Sequence, residues 1–390
     1  MSINFSTLKK LTIPEGVVKQ ITDASGRVLW SASKPIVLTV EKVTATTYAG
    51  ETAYNDEQFI LLEIYPKTNG TVKVTYGGLT KTITDTSGVE SPNAQGVYFG
   101  TFNGVSDSVA TPSSGTLTID GDCDGFACGS YSSGSKSYDI GYCGCITGVQ
   151  EFGGITYIAN YAFRGCAKLA LTSLPSGITS IGSAAFYGCS NIALTSLPSG
   201  ITSIGSSAFY GCIAITLSSL PSGITDIPDS AFAYCRNLAL TSLPSKLKTI
   251  GSSAFAYCTN IALTAFPEGL TSIGSSAFMT GDVMDKNEYG YVSNTRNITL
   301  PSTLLSVGRA AFVYMGSSNY WPNLETIKIL ATKPPAVEID ENSSSKYCTS
   351  FGYHSSSSDL KKITVPKGCG ATYKAATGWS TYADIIEEAT

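Results

Sequence analysis

From Ile158 to Phe278 the apolar residues of this chain recur at a fixed step of 23. Phe163, Phe186, Phe209, Phe232, Phe255 and Phe278 mark the step, and Cys166, Cys189, Cys212, Cys235 and Cys258 stand three places behind the first five. Leu171, Leu194, Leu217, Leu240 and Leu263 form a second column, and Leu174, Leu197, Leu220, Leu243 and Phe266 a third. Ile178, Ile201, Ile224, Leu247 and Leu270 make a fourth, with Ala185, Ala208, Ala231, Ala254 and Ala277 beside the phenylalanines. Between these columns Thr172, Thr195, Ser218, Thr241 and Thr264 read as an outward, uncharged face. A fixed period of this length predicts a solenoid, whose units bury their apolar edges only against one another.

One unit shows how a coil is built. Asn191 to Pro198 is a short apolar run closed by a proline, which has no N–H for a strand ladder. Ser199-Gly200 turns the chain into a second short extended segment, Ile201 to Gly205. Ser206 to Phe209 offers an N-cap serine and a single helical turn that points Phe209 inward. The expected coil is therefore strand, turn, strand and helical turn, with neighbouring coils about 4.7–4.9 Å apart.

Ahead of the array the period changes to two. Residues 1–33 contain a hairpin signal, with Asp23-Ala24-Ser25-Gly26 turning into Arg27-Val28-Leu29-Trp30. Residues 34–116 hold six or seven short alternating runs broken by Asn69-Gly70, Gly77-Gly78 and Asn103-Gly104, the pattern of an immunoglobulin-like antiparallel sandwich. Residues 117–331 are read as the solenoid with an irregular first coil, and 332–390 as a C-terminal loop and capping coil. The step from Phe278 to Phe312 is 34, so eleven extra residues enter around Met279 to Arg296.

The run Ile-Gly-Ser-Ser-Ala-Phe-Tyr-Gly-Cys, followed by Leu-Pro-Ser-Gly-Ile-Thr-Ser-Ile, resembles the BspA-like, or treponemal-type, leucine-rich repeat family. The resemblance covers roughly Ile146 to Ala331. It implies a right-handed solenoid used to recognise proteins or glycans on bacterial or phage surfaces. Ile192 to Leu197 departs from the alternation of that family, which leaves the pairing of the first strand open. Residues 363–386 look like the terminal coil of such proteins. The first thirty residues are similar to the starts of some phage and prophage structural proteins of gut bacteria. An ordinary hairpin packed on the next domain explains them equally well.

Composition narrows the function. Charged residues are 14% and the formal net charge is −4, so nothing draws the chain to nucleic acid or anionic lipid. No run of 18 apolar residues indicates a transmembrane helix, and the first ten residues lack the apolar region of a secretory signal. Eleven cysteines, an odd number, do not make a complete disulfide framework, and the five in the repeat ladder are expected as buried free thiols. Asp120 to Gly125 imitates half a calcium loop, but position twelve is Tyr131 instead of Glu. Cys123, Cys128, Cys143 and Cys145 lack the spacing of common zinc sites. No metal and no cofactor is expected.

No catalytic constellation is present either. His354 is the sole histidine, in a serine-rich loop, and the regular repeats are almost free of acids. The residues that stand out are aromatic and charged ones on three non-repeating segments. They are Asp285, Glu288, Tyr289 and Tyr291 in the insert, Tyr320 and Trp321 beyond it, and Tyr353 in the stretch Tyr347 to Ser358. Aromatic loops of this kind suit glycan or protein contact. Equally, these rings read as cover for the end of the core. The expected function is non-enzymatic surface recognition of a protein or glycan, by a cell-surface adhesin or a phage tail-associated receptor-binding protein. A structural rod with no ligand of its own is the alternative.

Overall fold

The computed structural model describes residues 146–280, 296–313, 324–339, 350–351 and 360–390 in full, preceded by strands whose side chains are described at 35–39, 72–83, 117–120 and 126. Two antiparallel sheets come first. One orders its strands Ile146–Phe152, Ile36–Val40, Gly115–Gly121, Thr71–Tyr76 and Leu79–Thr84. The other orders Cys123–Cys128, Phe59–Pro66, Gln95–Phe102 and Val105–Ser106. Alternate residues of the first sheet, Ile36 and Leu38, Val72 and Val74, Leu117 and Ile119, are buried, as a half-buried strand requires. Gly77 and Gly78 take φ of 58° and 82° in the two-residue turn between Thr71–Tyr76 and Leu79–Thr84. Positive φ at both positions is what such a hairpin asks for.

The boundary expected at 116 needs correcting. It falls inside the Gly115–Gly121 strand, which pairs with both Ile36–Val40 and Thr71–Tyr76. Cys123–Cys128 then joins the second sheet and Ile146–Phe152 the first. Much of 117–152 is therefore sheet, where the sequence suggested an irregular first coil. Loss of the 23-residue register was read as irregular solenoid, whereas it marks period-two pairing with strands far back in the chain. The ligand question for Cys123, Cys128, Cys143 and Cys145 lies outside the described residues.

From Tyr157 onward the chain winds into a β-rich solenoid. Eight two-residue strands, from Tyr157–Ile158 to Ala336–Val337, follow one another along one side, paired in parallel as a sheet of three and a sheet of five. The predicted apolar columns are interior. Leu194, Ile201, Ala208 and Phe209 are fully buried, and Leu217, Ile224, Ala231 and Phe232 repeat them one coil on. Thr172, Thr195, Ser218, Thr241 and Thr264 are exposed.

The helical turn expected at each phenylalanine is absent, and the reason is local. The residue two places before each phenylalanine, such as Ala184, Ser207, Ser230 and Ser253, holds a left-handed φ of 51–55°. That conformation cannot continue a right-handed helix. Alternate N–H groups close tight turns within the coil, such as Ala208 N–H to Gly205 O at 3.2 Å. The intervening ones reach forward to the next coil: Ser207 donates to Asp229 O at 3.0 Å, Phe209 to Ala231 O at 2.8 Å and Gly211 to Ala233 O at 2.8 Å. The repeating cysteine completes this corner. Cys189, Cys212, Cys235 and Cys258 donate their thiols to the carbonyls of Phe163, Phe186, Phe209 and Phe232, one coil back, at 2.9–3.1 Å.

Where the short strands pair, coils approach so closely that the residue after the strand is glycine at 182, 205, 251, 274 and 308. A Cβ added at Gly205, Gly251, Gly274 or Gly308 would lie 2.3–2.6 Å from the backbone of the preceding coil. The apolar run before the proline shows why the strands are short. Thr264-Ala265-Phe266-Pro267 lies against Ile298-Thr299-Leu300-Pro301 through the Ala265–Thr299 bridge. In the regular coils the place of buried Ile298 is held by an exposed threonine or serine. Alternation therefore fails there, and one or two bonds per coil remain, such as Ala193 N–H to Leu171 O at 2.9 Å. Where alternation returns, a true parallel sheet forms from Asn297–Leu300, Thr326–Ile329, Lys362–Val365 and Ile386–Glu388.

Eight phenylalanines stack from Phe163 to Phe351, their ring centroids 5.2–5.7 Å apart. The column survives both the step of 34 to Phe312 and the step of 39 to Phe351. Phe351, read in the sequence with the exposed aromatic segments, is 1% exposed and belongs to this core. Phe126 meets the first ring edge-on at 5.2 Å. At the other end Trp379 and Tyr382 lie against Phe351. Trp379 Nε1 donates to Pro335 O at 2.8 Å, and the Tyr373 hydroxyl to Ala331 O at 2.7 Å. The glycine column is directly testable by urea denaturation. Gly251→Ala should cost about 1–3 kcal/mol through overpacking. Gly177→Ala, at a turn where an added Cβ meets nothing within 4 Å, should leave the midpoint nearly unchanged.

Candidate recognition face

The phenylalanine corner also positions the segments singled out in the sequence. Thr280–Gly281 follows Phe278 and pairs in parallel with Val313–Met315, which follows Phe312. Val313–Met315 pairs antiparallel with Tyr320–Pro322, setting Tyr314 opposite Trp321 and Met315 opposite Tyr320. Tyr320 and Trp321 thus occupy the outer strand of a small three-stranded sheet at this corner. Gly281 leads directly into residues 282–295. Phe351, next in the same stack, leads into 352–359. Three non-repeating segments therefore leave successive coils at one corner. Asp285, Glu288, Tyr289, Tyr291 and Tyr353 themselves lie outside the described residues.

The same corner carries a tyrosine ladder that the sequence reading missed. Tyr187 and Tyr210 stack at 4.6 Å, and Tyr234 and Tyr257 at 4.5 Å, joined by a tilted contact of 5.1 Å between Tyr210 and Tyr234. The Arg164 guanidinium covers its N-terminal end, 5.5 Å from the Tyr187 ring centre. The ladder escaped notice because its residue shifts by one place. Tyr187-Gly188 and Tyr210-Gly211 become Ala233-Tyr234 and Ala256-Tyr257. Tyr234 and Tyr257 then accept φ of 61° and 60°, close to the 73° and 72° of the glycines they replace. A column defined by ring position instead of by residue number would have found it. Burial, and then the neighbouring Tyr234, hold the Tyr257 phenol above its ordinary range.

Along the short-strand side runs an open groove of about 440 Å³. Its lining includes the backbone at Gly251 and Gly274 and the hydroxyl-bearing Ser252 and Ser275, with Asp229 and Glu338 also contributing. The Asp229 carboxylate accepts from Ser252 N–H at 2.6 Å. Hydrogen bonds from Thr249 and then Thr225 keep the Asp226 carboxyl below its usual range. Among the described residues no three His, Cys, Asp or Glu side chains cluster as metal ligands. The ladder cysteines are buried free thiols, as expected. Burial pushes the thiols of Cys212, Cys235 and Cys258 upward, so they remain protonated and poor nucleophiles.

Two outcomes follow from those thiols. Of the eleven cysteines, no more than six should react with a water-soluble disulfide reagent in the native protein. The five ladder thiols should appear only on denaturation. Because the folded-state values are raised, the unfolded chain loses these protons first as pH climbs. The denaturation midpoint should therefore hold steady up to about pH 9, the ordinary thiol value, and fall above it. A Cys235→Ala variant should show a shallower fall.

Residues 156–283 match, in six copies, the family described as BspA type Leucine rich repeat region. No curated protein matches the chain. Among solved structures, a leucine-rich repeat protein from T. pallidum is 26% identical over 45% of this chain and 67% of its own, with a TM-score of 0.29. One from Bacteroides ovatus is 23% identical over 69% and 71%, with a TM-score of 0.38. A leucine rich cell surface protein from Faecalibacterium prausnitzii is 17% identical over 67% and 86%, with a TM-score of 0.27.

Proposed function

Residues 156–283 carry six BspA-type leucine-rich repeats, and from that premise we propose that the protein is a non-enzymatic recognition protein acting at a bacterial surface. Its ligand is a protein or glycan, held at the phenylalanine–tyrosine corner. The supporting observation is that three non-repeating segments leave this corner from successive coils, after Gly281, after Met315 and after Phe351. Irregular segments on a rigid repeat scaffold are the usual carriers of contact residues. Asp285, Glu288, Tyr289, Tyr291, Tyr320, Trp321 and Tyr353 supply aromatic and carboxylate contacts in this reading. The location is extracellular, as a cell-surface adhesin or as part of a phage tail. The two antiparallel sheets act as an immunoglobulin-like spacer that holds the solenoid away from its anchor.

A second reading, a rod without a ligand, draws support from the unbroken phenylalanine stack. Binding of the full chain to a glycan array and to intact gut bacteria separates the two. A variant lacking eleven residues within 282–295 restores the 23-residue step and serves as the comparison. Binding by the full chain that drops at least tenfold in the shortened variant supports recognition at the corner. Binding equal in both moves the ligand elsewhere, and binding by neither leaves the rod.

A further inference from the structure

The short-strand ladder is broken at one step, between Ser203–Ile204 and Asp226–Ile227. The eight strands divide there into a sheet of three and a sheet of five. At the five other steps up to Ser306–Val307 the residue after the strand donates its N–H to the isoleucine one coil back. Gly182, Gly205, Gly251, Gly274 and Gly308 do so at 2.7–2.8 Å. At the last strand the Glu338 N–H reaches Val307 O through the Ser350 hydroxyl. At the broken step the residue after the strand is Pro228, which has no N–H to give. The residue three places earlier fails as well. Thr179, Thr202, Lys248, Thr271 and Leu305 donate backward at 2.7–2.9 Å, whereas the Thr225 N–H has no such bond. The Thr225 hydroxyl, which in Thr179 and Thr271 reaches the preceding coil, turns to Asp226 instead.

The coil after the break is tied forward only on this side. Asp226 accepts from Thr249, and Asp229 from Ser252. Ile204, at the edge of the break, is 5% exposed, against 1–2% for Ile181, Ile227, Ile250 and Ile273. At the opposite corner nothing is interrupted. Phe209 and Phe232 stack at 5.3 Å, and the three forward bonds from Ser207, Phe209 and Gly211 hold at 2.8–3.0 Å.

We propose that the solenoid is two bodies hinged at this step. The coils through Ile204 and those from Asp226 onward bend about the phenylalanine corner, so that the strand side opens and closes. The groove from Asp229 to Glu338 lies wholly on the second body, so bending alters what flanks its N-terminal end without changing its floor. The break comes from a missing donor, and a glycine at 228 should mend it.

Pulsed electron–electron dipolar spectroscopy on the full chain tests this, with spin labels carried by non-canonical side chains. Labels at 156 and 271 span the break over five coil steps, about 24 Å at the spacing of parallel strands. Labels at 248 and 336 sit on the second body alone. The spanning pair should give a distance distribution at least twice as wide as the other, and Pro228→Gly should narrow it to match. A spanning pair as narrow as the control in the unaltered chain overturns the hinge. A wide distribution that persists in Pro228→Gly overturns its cause.

Discussion

The structure depends on how closely one coil lies on the next. Backbone hydrogen bonds fix the rise of each coil at the spacing of paired strands, and every other feature of the repeat answers to that distance. Glycine stands where a Cβ would lie within 2.6 Å of the preceding backbone. Phenylalanine rings, being flat, stack at nearly the same interval. Each cysteine is small enough to sit within the turn, and its thiol reaches the carbonyl one coil back. A larger side chain in the glycine or cysteine column would force the coils apart and weaken all these contacts together.

That shared constraint also explains what the sequence disclosed. Columns that face the interior must keep residue type and spacing, so Leu194, Ile201, Ala208 and Phe209 could be placed inside from periodicity alone. The backbone of the corner was not legible. Ser206 to Phe209 has the composition of a helix start, yet Ser207 is left-handed because alternate N–H groups are drawn to the next coil. Such a preference belongs to the stack and leaves no mark on one unit read by itself. Phe351 was misplaced for a related reason. Its step of 39 hides it from a search at 23, although the ring stack makes it the direct successor of Phe312.

The face proposed for recognition was legible as a contrast. Aromatic and acidic residues stood out against a serine and threonine surface, and the structure brings the exits of their segments to one corner. Their shared origin was not visible, because inserts of different length separate them in the chain. The tyrosine ladder shows the opposite difficulty. Its rings stay in line while the residue that bears them moves from one side of the glycine position to the other. The cost is a left-handed tyrosine in each of two coils, a conformation that most non-glycine residues avoid.

The opposed directions of the hydrogen bonds around a coil have an electrical consequence. At the phenylalanine corner Phe163, Phe186, Phe209 and their successors all donate toward the C-terminus, while Thr179, Gly182 and Ala193 donate toward the N-terminus. Each peptide group carries a dipole of about 3.5 D, and aligned groups sum. The corner and the strand side are therefore two antiparallel dipoles lying side by side, a mutually favourable arrangement. At the C-terminal end of the solenoid the corner presents its positive pole and the strand side its negative one. An approaching partner meets a field whose sign depends on the side from which it comes, in a chain with few charged residues.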